Sequence, residues 1–233
     1  MTEFRPSSFQ ILPAVIKNLL ILNGLFFLAQ NTVGRELINM EDLFALHTWQ
    51  SPLFRPWQFI THMFMHGNLG HIFGNMFALW MFGSILENLW GPKRFLTFYL
   101  VCGLGAALCH MIVLYFENEH LISAFNSLDA ISQAENRELV YAKLNEATLG
   151  ASGAVFGCLV AFGYLFPNTK IYIYFFIPLK AKWFVLLYAG FELSMAISNS
   201  AGDNVAHVAH LGGALVGFLL VYFWNKKNRS NFY

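Results

Sequence analysis

A serine hydroxyl becomes a useful nucleophile only when a neighbouring base can take its proton, and this chain carries one serine and one histidine in closely matching surroundings. Ser152 lies in Thr148-Leu149-Gly150-Ala151-Ser152-Gly153-Ala154-Val155-Phe156-Gly157, at the mouth of an uncharged apolar run and among small residues that admit another helix. His210 lies in Ala206-His207-Val208-Ala209-His210-Leu211-Gly212-Gly213-Ala214-Leu215-Val216-Gly217. Together they would perform acyl transfer. His71 and Asn75, spaced i, i+4, are donors on one face of a third apolar run. With the Ser152 backbone N–H at a helix N-terminus they could hold a tetrahedral oxyanion.

The elements that must bring these residues together are membrane helices. The chain has 233 residues, of which 57% are hydrophobic and 12% charged, where about 25% charged is usual for a soluble domain. Apolar runs near the roughly 20 residues needed to cross hydrocarbon recur along its length, so the expected fold is all-α: one polytopic domain, 1–233, of six transmembrane helices. The spans are expected at 11–30, 69–87, 95–116, 149–166, 183–198 and 205–224. The first run is expected to be retained, since Met1–Gln10 lacks a cleavable signal pattern. Residues 31–66 mix charges with Phe44, Trp49, Phe54, Trp57 and Phe59 and carry Pro52 and Pro56, which fits an interfacial loop shielded by protein. Glu117–Ala147 reads as a polar connector, and Ile171–Leu179 as a short aromatic stretch at the interface. Cys102, Cys109 and Cys158 all lie in apolar runs, as packing thiols rather than a disulfide framework. A net charge of +1 points to no nucleic-acid partner.

The basic residues orient the bundle. Lys93 and Arg94, then Lys170, Lys180 and Lys182, then Lys226, Lys227 and Arg229 all fall on one side of six spans, which the positive-inside rule makes cytoplasmic. Both termini are then cytoplasmic. The second, fourth and sixth spans start at the outer face, and His71, Ser152 and His210 each sit about 5–10 Å down their helices at 1.5 Å per residue. Lateral proximity has its own signal. Gly153 and Gly157 form one G-x-x-x-G and Gly213 and Gly217 another, and such pairs permit close backbone approach in a membrane. His210 shares a face with Gly213 and Gly217.

These residues resemble a rhomboid intramembrane serine protease. The resemblance rests on Gly150-Ala151-Ser152-Gly153 (G-x-S-G), His71-Ile72-Phe73-Gly74-Asn75 (H-x-x-x-N) and Ala209-His210-Leu211-Gly212-Gly213 with Gly217 (A-H-x-x-G-x-x-x-G), and runs from the first span to the sixth. It implies Ser152 as nucleophile and His210 as general base of a dyad, an oxyanion hole of His71, Asn75 and the Ser152 N–H, and hydrolysis of peptide bonds in or beside a substrate's transmembrane segment. The implied partners are transmembrane protein substrates and the lipid bilayer; no metal or organic cofactor is implied. Two departures stand out. The outer loop has Trp57-Gln58 where the family has Trp-Arg, and Phe156 replaces a tyrosine often found one turn after the serine.

A serine in a membrane helix is by itself usually a packing or capping residue; its pairing with an intramembrane histidine, which is costly to bury, reverses that. His207 lacks the glycine spacing of a base. His62 and His66 are spaced like a metal pair but no H-E-x-x-H occurs, so they are expected to support the loop and site by hydrogen bonds. Glu192 reads as a packing acid held protonated or hydrogen-bonded and His110 as a satisfied interior group, neither with a catalytic role. A noncatalytic helix-binding module would lack the serine or the histidine. A small transporter would show a repeat, and none is evident. The helix at 183–198 with the loop at 200–204 is expected to gate access. A bacterial inner membrane is expected, because the chain is short and shows no organelle-targeting signal.

Overall fold

The computed structural model describes residues 9–32, 38–173, 176–198 and 206–229. Helix α1 (Ala14–Asn31) opens the bundle. Its N-terminus is closed by the Glu87 carboxylate, which accepts from the backbone N–H groups of Val15 and Ile16 at 2.9 Å each; an anion at a helix start satisfies orphan donors and complements the dipole. The outer loop follows as two short helices, α2 (Met40–Phe44) and α3 (Gln58–Thr61), the latter running into a 3₁₀ turn at His62–Phe64.

The second apolar run is a continuous helix, Leu69–Trp90. It comprises α4 (Leu69–Ala78), a π-turn at Leu79–Gly83 and α5 (Ser84–Trp90). Asn68 caps it, its side-chain oxygen accepting from His71 N at 2.9 Å. Gly91 (φ +80°) ends it, and Pro92 starts α6 (Pro92–Asn126) at once. At 35 residues, or about 52 Å at 1.5 Å per residue, α6 is longer than the hydrocarbon is thick and continues ten residues past the expected end of the third span. The expected connector is therefore largely helical, because α7 (Ala130–Leu144) follows, capped by Asp129 accepting from Ile131 N and Ser132 N. Hydrophobicity falls at Glu117, but the helix runs on to Asn126.

Helix α8 (Ser152–Leu165) has only 14 residues, starting three residues later than expected. Two strands follow, β1 (Lys170–Ile173) antiparallel to β2 (Ile177–Lys180), with Lys170 opposite Lys180. Helices α9 (Ala181–Ser198) and α10 (His207–Arg229) complete the chain. Among the described residues, four helices are long and apolar enough to cross a membrane, namely Ala14–Asn31, Leu69–Trp90, Pro92–Asn126 and His207–Lys226, and α8 and α9 stand beside them. The protein is a helical, polytopic membrane protein. The loop at 200–204, part of the expected gate, lies outside the described residues, as does Val205 at the expected start of the sixth span.

The glycine pairs work as read. A Cβ on Gly213 would sit 1.9 Å from Gly153 O, and one on Gly217 would sit 2.7 Å from Gly157 Cα, so α8 and α10 touch backbone to backbone. Helix α6 closes the third side, with Ala106 against Gly153 and Cys102 against Gly157. The apolar core around this junction includes Ile16, Leu79, Phe82, Phe95, Phe98, Tyr99, Ala154, Cys158 and Phe162. All three cysteines are free. Arg94, at the start of α6, lies 4.3 Å over the Trp224 ring near the end of α10, so two of the basic segments share one end of the bundle.

Candidate active site

The chain reaches Ser152 through a turn that the outer loop holds from two directions. Leu46 and Thr148 exchange backbone hydrogen bonds at 2.8 Å, and Gly150 N donates to His62 O at 2.9 Å. Gly150 itself has φ +131°, a conformation open to glycine at little cost. A Cβ there would also lie 2.9 Å from Cε1 and Nε2 of His71 and 3.5 Å from Ser152 Oγ. His71 and Ser152 thus flank one point beside the turn, and Ser152 starts α8, where the first N–H groups have no intrahelical partner.

His210 comes to this point from α10. Its Nε2 lies 2.8 Å from Ser152 Oγ, within the range expected of a nucleophile and its base. Its ring stacks on Phe156 with centroids 4.4 Å apart and planes 7° from parallel; the phenyl ring in the tyrosine's place packs on the imidazole without a hydroxyl. On the far side of the imidazole, Nδ1 lies 2.9 Å from Glu192 Oε2 on α9, and the same oxygen lies 2.6 Å from His207 Nδ1. Glu192 is 2% exposed. It is hydrogen-bonded, one of the two states expected of it, and one partner is the candidate base itself. The signal missed was that a buried carboxylate must find donors, and the unassigned histidine one turn before His210 is one of them.

Asn75 is buried on α4 and its Nδ2 donates to His71 O at 3.1 Å, leaving its second amide hydrogen for another acceptor. Gly67 N donates to His71 Nδ1 at 3.4 Å. Of the two loop histidines, His62 bonds Gln58 O through Nδ1 at 2.8 Å. Burial holds its imidazole neutral, with the pKa pulled down to about 4. His66 departs from expectation. Neither ring nitrogen has a hydrogen-bond partner among the described residues; it packs edge-on against His71, centroids 5.0 Å apart, and burial with that neighbour lowers its pKa to about 4. His110 is half satisfied, Nε2 meeting Thr148 Oγ1 at 2.9 Å while Nδ1 has no partner among the described residues.

Gln58 replaces the expected arginine with a complete set of bonds. Fully buried, it donates from Nε2 to Asp42 O and Leu53 O at 3.0 Å each, and its Oε1 accepts from Arg55 N at 3.0 Å and His47 N at 3.3 Å. A small cavity lined by His62, Thr148, Gly150 and Ala106 adjoins Ser152.

Among the described residues, Glu192, His207 and His210 are the group whose donor atoms lie close enough to consider a metal, all within 4.8 Å. The distances argue for shared protons. Two ligands about 2.0–2.2 Å from a tetrahedral ion stand about 3.4 Å apart, whereas the oxygen here is 2.6 and 2.9 Å from the two nitrogens.

A family model described as the rhomboid domain matches residues 54–227. The chain is 27% identical to the "RHOMBOID-like protein 12, mitochondrial" of Arabidopsis thaliana over 94% of its own length and 60% of that protein's. It is 25% identical to "Rhomboid protease GluP" of Bacillus subtilis, covering 83% of itself and 31% of the relative. With "Rhomboid protease AarA" of Providencia stuartii the identity is 26%, over 89% and 71%. The matched region holds the serine turn, the donor pair on α4 and the histidine on α10, and this chain belongs to the rhomboid family.

Proposed function

We propose that the protein is a serine-type intramembrane endopeptidase that hydrolyses peptide bonds in or near transmembrane segments of membrane-protein substrates. The observation that carries the reading is the 2.8 Å contact of Ser152 Oγ with His210 Nε2, between helices held by paired glycines. His210 Nε2 takes the hydroxyl proton as Oγ bonds to the scissile carbonyl carbon, and the carbonyl π pair moves onto oxygen. That oxyanion is held by the Ser152 N–H, His71 and Asn75, at the positive end of α8. Collapse breaks the C–N bond, and the proton on His210 passes to the leaving amine. Water then repeats the sequence on the ester, freeing the acid and Ser152. The cavity beside Ser152 supports access for that water.

The domain is read as one unit, 1–233, with the site opening to the outer face and both termini cytoplasmic; the gathering of Arg94 and Trp224 at the opposite end supports that orientation. The relatives' names divide between organelles and bacteria, so a bacterial inner membrane is carried by the sequence reading alone. Helix α9, on which only Ala181 and Glu192 are buried, supports a role as the movable wall through which a substrate helix enters.

Incubating purified protein in detergent with a panel of single-span membrane proteins tests this. Wild type is expected to cut within or beside a span, Ser152→Ala and His210→Ala to cut at least about 10⁴-fold more slowly. Equal cleavage by wild type and both variants would contradict it.

A further inference from the structure

Glu192 is a carboxylate in the interior of an apolar bundle, where an unpartnered charge is expensive. Its partners are two imidazoles one turn apart on α10, and one of them already faces the serine. Ser152 Oγ, His210 Nε2, His210 Nδ1 and Glu192 Oε2 form one line of contacts at 2.8 and 2.9 Å through a single ring. For Nε2 to accept the serine proton, the neutral ring must carry its own hydrogen on Nδ1. An acceptor fixed at Nδ1 selects that tautomer, and stacking on Phe156 fixes the ring plane. Once Nε2 has taken the proton, the ring becomes a cation with a buried carboxylate at hydrogen-bonding distance.

We infer that Glu192 is a positioning residue for His210, making the serine-histidine pair a Ser152–His210–Glu192 triad in which His207 anchors the carboxylate from its other side. The inference rests on the protease reading above. No atom transfers to Glu192: the Nδ1 proton stays on the ring, and the carboxylate orients and stabilises it. The 2.6 Å bond from His207 holds Oε2 without competing for Nε2 or for the serine. Because Glu192 belongs to α9, on which it and Ala181 are the buried residues, the base is tied to the element proposed to move for substrate entry.

The test compares full-length wild type with Glu192→Gln, Glu192→Leu and Glu192→Asp, using a transmembrane substrate that wild type cuts. For each variant, kcat, KM, the rate of Ser152 modification by a fluorophosphonate and the thermal unfolding midpoint are measured, with and without EDTA. Glutamine keeps the shape and an acceptor but not the charge. Since general acid–base assistance amounts to about 10²–10⁴-fold, Glu192→Gln is expected to lower kcat about 10- to 100-fold, with KM within about twofold and fluorophosphonate modification slowed in parallel. Glu192→Leu, which removes the acceptor, falls further, and Glu192→Asp recovers kcat above the Gln variant. Wild-type kcat and labelling rates in folded Glu192→Gln and Glu192→Leu would overturn the inference. So would losses matching the lost folded fraction alone, or a wild type silenced by EDTA and restored by Zn²⁺. A wild type that neither cuts nor labels would overturn the parent reading instead.

Discussion

Burial keeps the His62 imidazole neutral, its pKa moved from the ordinary 6.5 to about 4 against the opposing pull of its bond to Gln58 O. Between those two values the unfolded chain binds more protons than the folded one, so stability rises with pH across that window. The contribution is whole above pH 6.5 and is lost as pH falls towards 4; a shift of this size corresponds to about 3 kcal/mol. Unfolding in detergent followed from pH 7.5 to 4.5 is expected to show this acid loss, and His62→Gln to flatten it, with His66 supplying part of what remains. An unchanged slope in His62→Gln would contradict the account. Gln58 acts on the same loop by neutral bonds. Gln58→Ala orphans the carbonyls of Asp42 and Leu53 and the N–H groups of His47 and Arg55. With about 1–3 kcal/mol for a buried group left unpaired and water able to reach some of them, it is expected to destabilise by about 2–4 kcal/mol while Ser152 stays reactive in the folded fraction.

Helices α8 and α10 depend on having no side chains at their crossing. Gly213→Ala would drive a methyl group into Gly153 O at 1.9 Å, and because the obstacle is backbone, the helices themselves must part. The expected result is a destabilisation of about 1–3 kcal/mol, typical of overpacking, with a loss of fluorophosphonate labelling larger than the loss of folded protein. The same change at Gly74 or Gly190, where an added Cβ meets nothing within 4 Å, is expected to leave both unchanged. This crossing was legible in the sequence, since spacing alone puts His210, Gly213 and Gly217 on one face. The length of α6 was not. Hydropathy reports where a helix meets lipid, and Glu117, Asn118 and Glu119 ended the apolar run without ending the helix. The pairing of β1 with β2 was hidden for a related reason: its strands of four residues are too short for alternation to stand out from aromatic content. What the sequence held of Glu192 was its need for buried donors; which histidines meet it was not legible, since they lie 15 and 18 residues away on a different helix.

Across the whole molecule, three helices each bring one polar group to the same end of an otherwise apolar bundle, and the outer loop fixes the turn from which the serine projects. His71 is the third residue of α4, Ser152 the first of α8 and His210 the fourth of α10. Motif spacing and alternating topology were enough to expect that agreement in depth, whereas the loop's bonds from Leu46 and His62 to the serine turn come from residues far apart in the chain and carry no local pattern. The central claim is that this arrangement makes one serine among all those in the chain nucleophilic. Its most direct measurement is fluorophosphonate treatment of the protein in membranes, followed by mass-spectrometric mapping of the adduct in wild type and His210→Ala. A single adduct on Ser152 that requires His210 is the expected result. Folded wild type that forms no adduct at Ser152, or forms it equally well without His210, would contradict the account.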